Sequence, residues 1–259
     1  MSDKTPLFSR ARLLGGVKKD AGDWPLLVMC LVTGMIDGAC FRNWGMFVGM
    51  QTGNTVILGL SIAGLPSNPY AWLTTLVSII SFLIGVFVCF RISRAVSPDG
   101  PTANRLWTAF LFLIQGLLII ISAALATPKG LIPQLPHNAS RSTPDTDSVL
   151  HNIRLVALIP PLALQSGFQI ATSRLLGFNE LPINVVTSTY CDLMGDPKLF
   201  ASDNVKRNRR AAAVVLLFIG SVASGWLMRS SGGLASILWI AGGIKVITAT
   251  AIVLFMPSI

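Results

Sequence analysis

Long uncharged apolar runs alternate with short polar links along this chain. Six runs have the length and hydrophobicity of membrane-crossing helices: roughly 24–41, 72–90, 106–126, 153–171, 211–228 and 234–255. Two further runs are apolar with polar residues inside them. Residues 45–64 hold Gln51-Thr52-Gly53-Asn54-Thr55 at their middle, and residues 181–194 hold Asn184, Thr187-Ser188-Thr189-Tyr190 and Asp192. Each is expected to be a broken helix or a segment that re-enters on the side it left, because irregular backbone at membrane depth must be satisfied by protein or a water-filled cavity. The fold class expected is an all-α integral membrane protein of about six transmembrane helices plus two broken or re-entrant polar-centred segments.

Both halves run in the same order: long helix, polar-centred segment, long helix, long helix. That order points to an internal duplication. Aligning Gly34 with Gly167 and allowing one gap sets Asp37 opposite Gln169, and Ala39, Arg42 and Gly45 then face Ala171, Arg174 and Gly177 at a constant offset of 132. The organisation expected is a basic cytoplasmic tail 1–23, a first membrane repeat 24–126, a polar exterior loop 127–152 and a second membrane repeat 153–259. No signal-peptide core follows the tail immediately, so the first spanning helix is expected to act as an uncleaved targeting signal. A multi-pass location is implied, with plasma membrane or endomembrane favoured.

Composition agrees. Apolar residues make up 52% and charged residues 12% of the 259, against about 25% charged in an ordinary globular chain. The net charge of +9 flanks the apolar runs and makes no basic face interleaved with aromatics, so it records orientation and implies no nucleic-acid partner. If the two polar-centred segments do not span and the N-terminus is inside, 14 basic residues fall inside, against Arg42, Lys129, Arg141 and Arg229 outside. With three spanning helices per repeat, the repeats must be inverted. The sequon Asn138-Ala139-Ser140 then lies in the exterior loop, as a glycosylation site requires.

Little in the chain points to catalysis. Cys30, Cys40, Cys89 and Cys191 have no CxxC spacing, and His137 and His151 sit in the polar loop, so neither a metal nor a cofactor is expected. There is no GxSxG, HExxH or useful carboxylate pair, and an enzyme is not expected.

The informative polar residues are inside the apolar runs. Asp37 costs about 2.5–3.5 kcal/mol on insertion scales, and Thr33 lies one turn earlier on its face. The pair reads as a proton, cation or substrate site, or as a structural carboxylate bonded to hydroxyls. Gln165 and Gln169 make the corresponding stripe in the second half, where Pro160-Pro161 would free backbone carbonyls; plain interhelical packing is the alternative. Gln51, Thr52 and Asn54, with Thr187 opposite, offer the broken-helix construction of midplane sites in inverted-repeat transporters. Gly49, Gly53 and Gly59 would equally serve close helix packing.

Thr33-Gly34-Met35-Ile36-Asp37-Gly38-Ala39, Gly45-Met46-Phe47-Val48 and the Gln51–Thr55 run resemble the first signature of the YoaK-like membrane proteins, domain of unknown function 1275. Leu164-Gln165-Ser166-Gly167-Phe168-Gln169 with Val186-Thr187-Ser188-Thr189 resembles the second. The resemblance covers about 24–255 and implies the membrane architecture, with no activity attached. The polar loop and its sequon look more like a fungal branch than a bacterial one.

Two functions follow. The first is a gradient-driven transporter of a small solute or ion, bound between Asp37, Thr33, Gln51, Thr52, Asn54, Gln165, Gln169 and Thr187. The second is a non-transporting interaction or stress-associated membrane protein whose polar residues serve helix packing. The lipid bilayer is a partner under both, and the small-residue surfaces at Gly220, Ser224 and Gly232-Gly233 suit packing within the bundle or against a second copy of the chain.

Overall fold

The computed structural model describes residues 23–65, 68–100, 104–127, 153–178, 181, 183–184 and 186–256. The basic tail, Asn138, both histidines and nearly all of the loop 127–152 lie outside them. Among the described residues the chain is all-helical: α1 (Asp23–Trp44), α2 (Gln51–Ile62), α3 (Ala71–Val96), α4 (Arg105–Ala126), α5 (Ile159–Leu175), α6 (Val186–Met194), α7 (Val205–Leu227) and α8 (Gly233–Phe255). A 3-10 turn, Ile153–Leu158, leads into α5.

Among the described residues, six helices are long and apolar enough to cross a membrane: α1, α3, α4, α5 with its 3-10 lead-in, α7 and α8. At 1.5 Å per residue, 22 residues span about 33 Å, enough for the hydrocarbon layer. Local signals set their ends. The side chains of Asn104 and Asn204 accept hydrogen bonds from Trp107 N (3.1 Å) and Arg207 N (3.0 Å), capping α4 and α7. Asn204 starts α7 well before the apolar run, which is why that helix begins at Val205 and not near 211. Pro160 and Pro161 occupy the first turn of α5, where a missing N–H costs nothing. They begin the helix instead of breaking it, and the Leu158 carbonyl before them accepts from Ser122 Oγ at 3.1 Å. Gly45 (φ 63) and Gly177 (φ 77) turn the chain just beyond α1 and α5 in the left-handed conformation that glycine adopts without strain.

Helices far apart in sequence pack together. The most extensive seams join α4 to α8, α1 to α7 and α3 to α5. Two of them are glycine seams. A Cβ on Gly34 would lie 2.0 Å from Leu217 O, and one on Gly220 would lie 2.0 Å from Leu31 O. On the α3/α5 seam, Gly85 meets Leu164 O at 2.3 Å and Gly167 meets Phe82 O at 2.3 Å by the same measure. Backbones approach this closely only where the side chain is a hydrogen atom. Gly220 and Ser224 are therefore consumed inside the bundle, Ser224 buried against Gly38.

Hydrophobicity runs from inside to outside in the membrane sense. Leu83, Ile84, Phe87, Phe110, Phe218 and Ile247 are exposed, while Thr75, Ser78, Thr108 and Ser122 are fully buried. Exposed apolar surface of this extent suits lipid and not water. Beside a small apolar cluster of Cys89, Trp107, Leu111, Phe168 and Ala171, the bundle interior has two larger ones among the described residues. One contains Val32, Ile36, Cys40, Trp44 and the link residues Met46 and Val48, with Ile119, Leu162 and Leu238. The other contains Leu26, Met29, Phe112, Ala249 and Ile252, with Leu176, Phe178, Leu181 and Ile183 of the link after α5. Between these two, α4, α5 and α8 bury the polar residues Gln115, Gln165, Gln169 and Lys245.

Candidate functional site: a polar layer inside the bundle

Asp37 is 3% exposed and points at the link between α1 and α2. Its Oδ1 accepts from Val48 N at 2.8 Å and Gly49 N at 2.9 Å. These two N–H groups precede α2 and have no carbonyl on an earlier turn, so the carboxylate satisfies donors that the irregular link leaves over. Its Oδ2 has no hydrogen-bond partner among the described residues.

The same link is held from its other side. Asn54 is fully buried; its Oδ1 accepts from Phe47 N (2.9 Å), and its Nδ2 donates to Phe47 O (2.6 Å), Gln51 Oε1 (2.8 Å) and Ser78 Oγ (3.1 Å). Gln51 Nε2 donates to Val48 O at 2.8 Å. The polar run 51–55 thus forms the first turn of α2, with Gln51 and Asn54 folded back onto residues 47 and 48. It is not a break in the middle of a helix.

Thr33, Gln169 and Asn184 form the centre of the layer. Gln169 Nε2 donates to Thr33 Oγ1 at 2.6 Å and Asn184 Oδ1 at 3.0 Å. Asn184 Nδ2 donates to Ser166 Oγ at 2.9 Å and, more weakly, Ser166 O at 3.3 Å. Thr33 donates to Met29 O at 2.9 Å. Residues from α1, α5 and the link before α6 are joined here in one hydrogen-bonded unit.

Lys245 on α8 continues that unit. It is fully buried, and its ammonium donates to Gln115 Oε1 (2.9 Å), Gln165 Oε1 (2.6 Å) and Gln169 Oε1 (2.5 Å). Gln115 turns its amide nitrogen to Leu111 O (2.7 Å) and Thr172 Oγ1 (3.3 Å). Three amide oxygens complete the three donors of a primary ammonium. No ion pair joins it to the Asp37 carboxylate; ion pairs among the described residues include those of Arg209 with Asp23 and of Arg210 with Asp192 and Asp196. Lys245 is thus joined through Gln169 to Thr33 and Asn184, while Asp37 bonds the link at Val48 and Gly49.

Thr33, Gln165 and Gln169 are joined through the hydrogen bonds of Gln169 and Lys245, and Asp37 bonds the link at Val48 and Gly49. Gln51 and Asn54 hold the adjoining link and hydrogen-bond to residue 47, 48 or 78. Thr52 and Thr187 are exposed on the outer sides of α2 and α6. Asp192 is half-exposed and faces Arg210 across 3.8 Å, away from the layer. Lys245, Gln115, Ser166 and Asn184 complete the set. Lys245 is the one charge within the apolar run of α8, and Gln115 the one amide in that of α4. Both carry a signal in the sequence, but their convergence depends on tertiary packing.

Six apolar spans, lipid-facing hydrophobic residues and a buried polar layer define a multi-pass helical membrane protein. The chain belongs to the family described as Protein of unknown function (DUF1275), whose model matches residues 26–251, nearly its whole length. No curated protein and no solved structure gives a significant match.

Proposed function

We propose that the protein is a gradient-driven transporter of a small solute, built as an inverted repeat with its site at the polar layer. The observation that carries this is the pair Asp37 and Lys245: two buried ionisable groups inside spanning helices, unpaired with each other, the first bonded to an irregular link and the second to glutamines of both halves. Charges are costly at this depth and mark ion or substrate paths in membrane proteins. A site at the junction of two repeats, lined by interrupted helices, is the construction secondary transporters use.

The repeat reading has several supports. The α1/α7 and α3/α5 seams are equivalent pairs under exchange of the halves, and their glycines contact carbonyls three residues before the facing glycine in all four cases. Gly45 and Gly177, aligned by sequence, share a positive φ. Asp37 bonds the link of its own half at Gly49, and Gln169 bonds the link of its own half at Asn184. Under this reading the segments 45–64 and 181–194 re-enter from opposite faces.

Uptake of a solute panel into vesicles containing the purified protein tests the function. A transported solute is expected, with flux at least tenfold lower in Asp37→Asn and Lys245→Met at matched protein levels. Flux unchanged in both variants would sink the assignment of the layer. A second reading, a non-transporting membrane protein, is favoured by the closed hydrogen bonding of Gln51, Asn54 and Ser78. It requires that no solute move and that both variants alter only abundance or melting.

A further inference from the structure

Gly49 lies where the link of the first half crosses α5. A Cβ built on it would stand 2.8 Å from Asp37 Oδ2, 3.2 Å from Ser166 Oγ and 3.5 Å from Asn184 Cγ. Its φ is not among the positive values, so backbone conformation does not demand glycine there. The lack of a side chain instead lets Oδ2, buried and without a hydrogen bond, lie beside groups from α5 and from the link before α6.

Apart from the Ser166 hydroxyl, the donors around that oxygen are committed elsewhere. Val48 and Gly49 N–H are on Oδ1. Both amide hydrogens of Asn184 are directed to Ser166, those of Gln169 to Thr33 and Asn184, and the Thr33 hydroxyl to Met29 O. Lys245 is held by three glutamine oxygens. The Ser166 hydroxyl accepts from Asn184 and presents an oxygen to the same space. A buried carboxylate oxygen with no hydrogen bond and no ion pair, beside a hydroxyl and an amide whose Oδ1 accepts from Gln169, is an arrangement that a cation completes. One carboxylate suits a single positive charge, and no group of three His, Cys, Asp or Glu able to hold a metal ion occurs among the described residues.

We propose that Asp37, Ser166 and Asn184, meeting over Gly49, form a binding site for one monovalent alkali cation. Its role as the coupling ion rests on the transport reading above; its existence does not. Binding would tie α1, α5 and both irregular links to one point, so occupancy stabilises the folded protein.

The test is melting of the purified protein at fixed pH and ionic strength in sodium, potassium, lithium or N-methyl-D-glucamine chloride. At a concentration well above its dissociation constant, one alkali cation is expected to raise Tm by roughly 5 °C over N-methyl-D-glucamine. The increment disappears in Asp37→Asn, which keeps an Oδ1 acceptor for Val48 and Gly49, and shrinks in Gly49→Ala and Ser166→Ala. Ser166→Ala carries the test if Asp37→Asn does not fold. Equal melting in all four salts overturns the site, including the case where Tm follows pH alone and Oδ2 carries a proton. An increment that survives Asp37→Asn and Ser166→Ala also overturns it. Salt-specific melting without solute uptake keeps the site and removes transport; uptake driven by a pH gradient with salt-independent melting does the reverse.

Discussion

Gly220→Ala tests the α1/α7 seam directly. The added methyl would lie 2.0 Å from Leu31 O and 3.0 Å from Met35 N, both backbone atoms of a continuous helix that cannot rotate away. Ordinary contact begins near 3.4 Å, so the helices must part by about 1.4 Å, the difference between 3.4 and 2.0. A gap of even 0.5–1 Å forfeits about a quarter to a half of each dispersion well along a contact. The separation also stretches the bond from Ser221 Oγ to Gly34 O, already 3.2 Å. Overpacking costs typically about 1–3 kcal/mol, and this seam runs most of the length of both helices, so about 3 kcal/mol is expected. Alanine returns about 1 kcal/mol of helix propensity. The net loss of about 2 kcal/mol corresponds to a fall in Tm of roughly 4–8 °C for a chain of this size. Gly243→Ala is the control, since a Cβ there meets nothing within 4 Å; it should hold or raise Tm. The assay is thermal melting of purified protein in detergent, followed by the loss of the monodisperse peak in size-exclusion chromatography. If Gly220→Ala melts at or above Gly243→Ala, the helices do not approach as described and the seam argument fails.

Two further outcomes are expected. Asn54→Leu removes the acceptor of Phe47 N while Ser78 Oγ still serves Phe47 O; one buried N–H is orphaned, costing about 1–3 kcal/mol. Limited proteolysis should then cut within 45–50 faster than in the parent, and equal cleavage would show that Asn54 does not hold the link. Asp196, outside the spanning helices, is held below the usual carboxylate range by the Lys198 backbone N–H, then by the Asn204 side chain and the nearby Arg210 and Arg207. Because the folded pKa is lowered, the stability it lends is present above its unfolded value of about 3.9 and lost as pH falls through the folded value. The Tm difference between the parent and Asp196→Asn should be constant from pH 8 to about 5 and close below about pH 4; a gap that widens on acidification contradicts the assignment.

The six spans were legible because a bilayer imposes a length and an excess of apolar residues on each helix, and both are local properties. Their ends were less so: α7 begins at Val205 because Asn204 caps it, although residues 206–210 are four basic side chains and an asparagine. Asp37 and Thr33 stood out, since a carboxylate in an apolar run has few bland explanations. The partners of Asp37 did not, because Val48 and Gly49 act through backbone N–H groups that carry no residue-specific signature. Gln165 and Gln169 were visible as a stripe, yet what they hold, Lys245, lies 80 and 76 residues away. Thr52 and Thr187 looked equivalent to their neighbours in composition. Helical register alone separates Thr52, exposed, from Asn54, fully buried.

The α1/α7 seam joins residues 187 apart in sequence, and that distance is also a delay. At about 5–20 residues per second, roughly 10–40 s of synthesis separate the emergence of Gly34 from that of Ser221. During that interval α1 is without its principal neighbour, and Asp37 and Gln115 without the second half of the polar layer. The first four helices alone are thus an unfinished product with polar groups facing lipid. A chain truncated before α5 presents this state permanently, so membrane quality control would recognise it by the very residues that the finished protein hides.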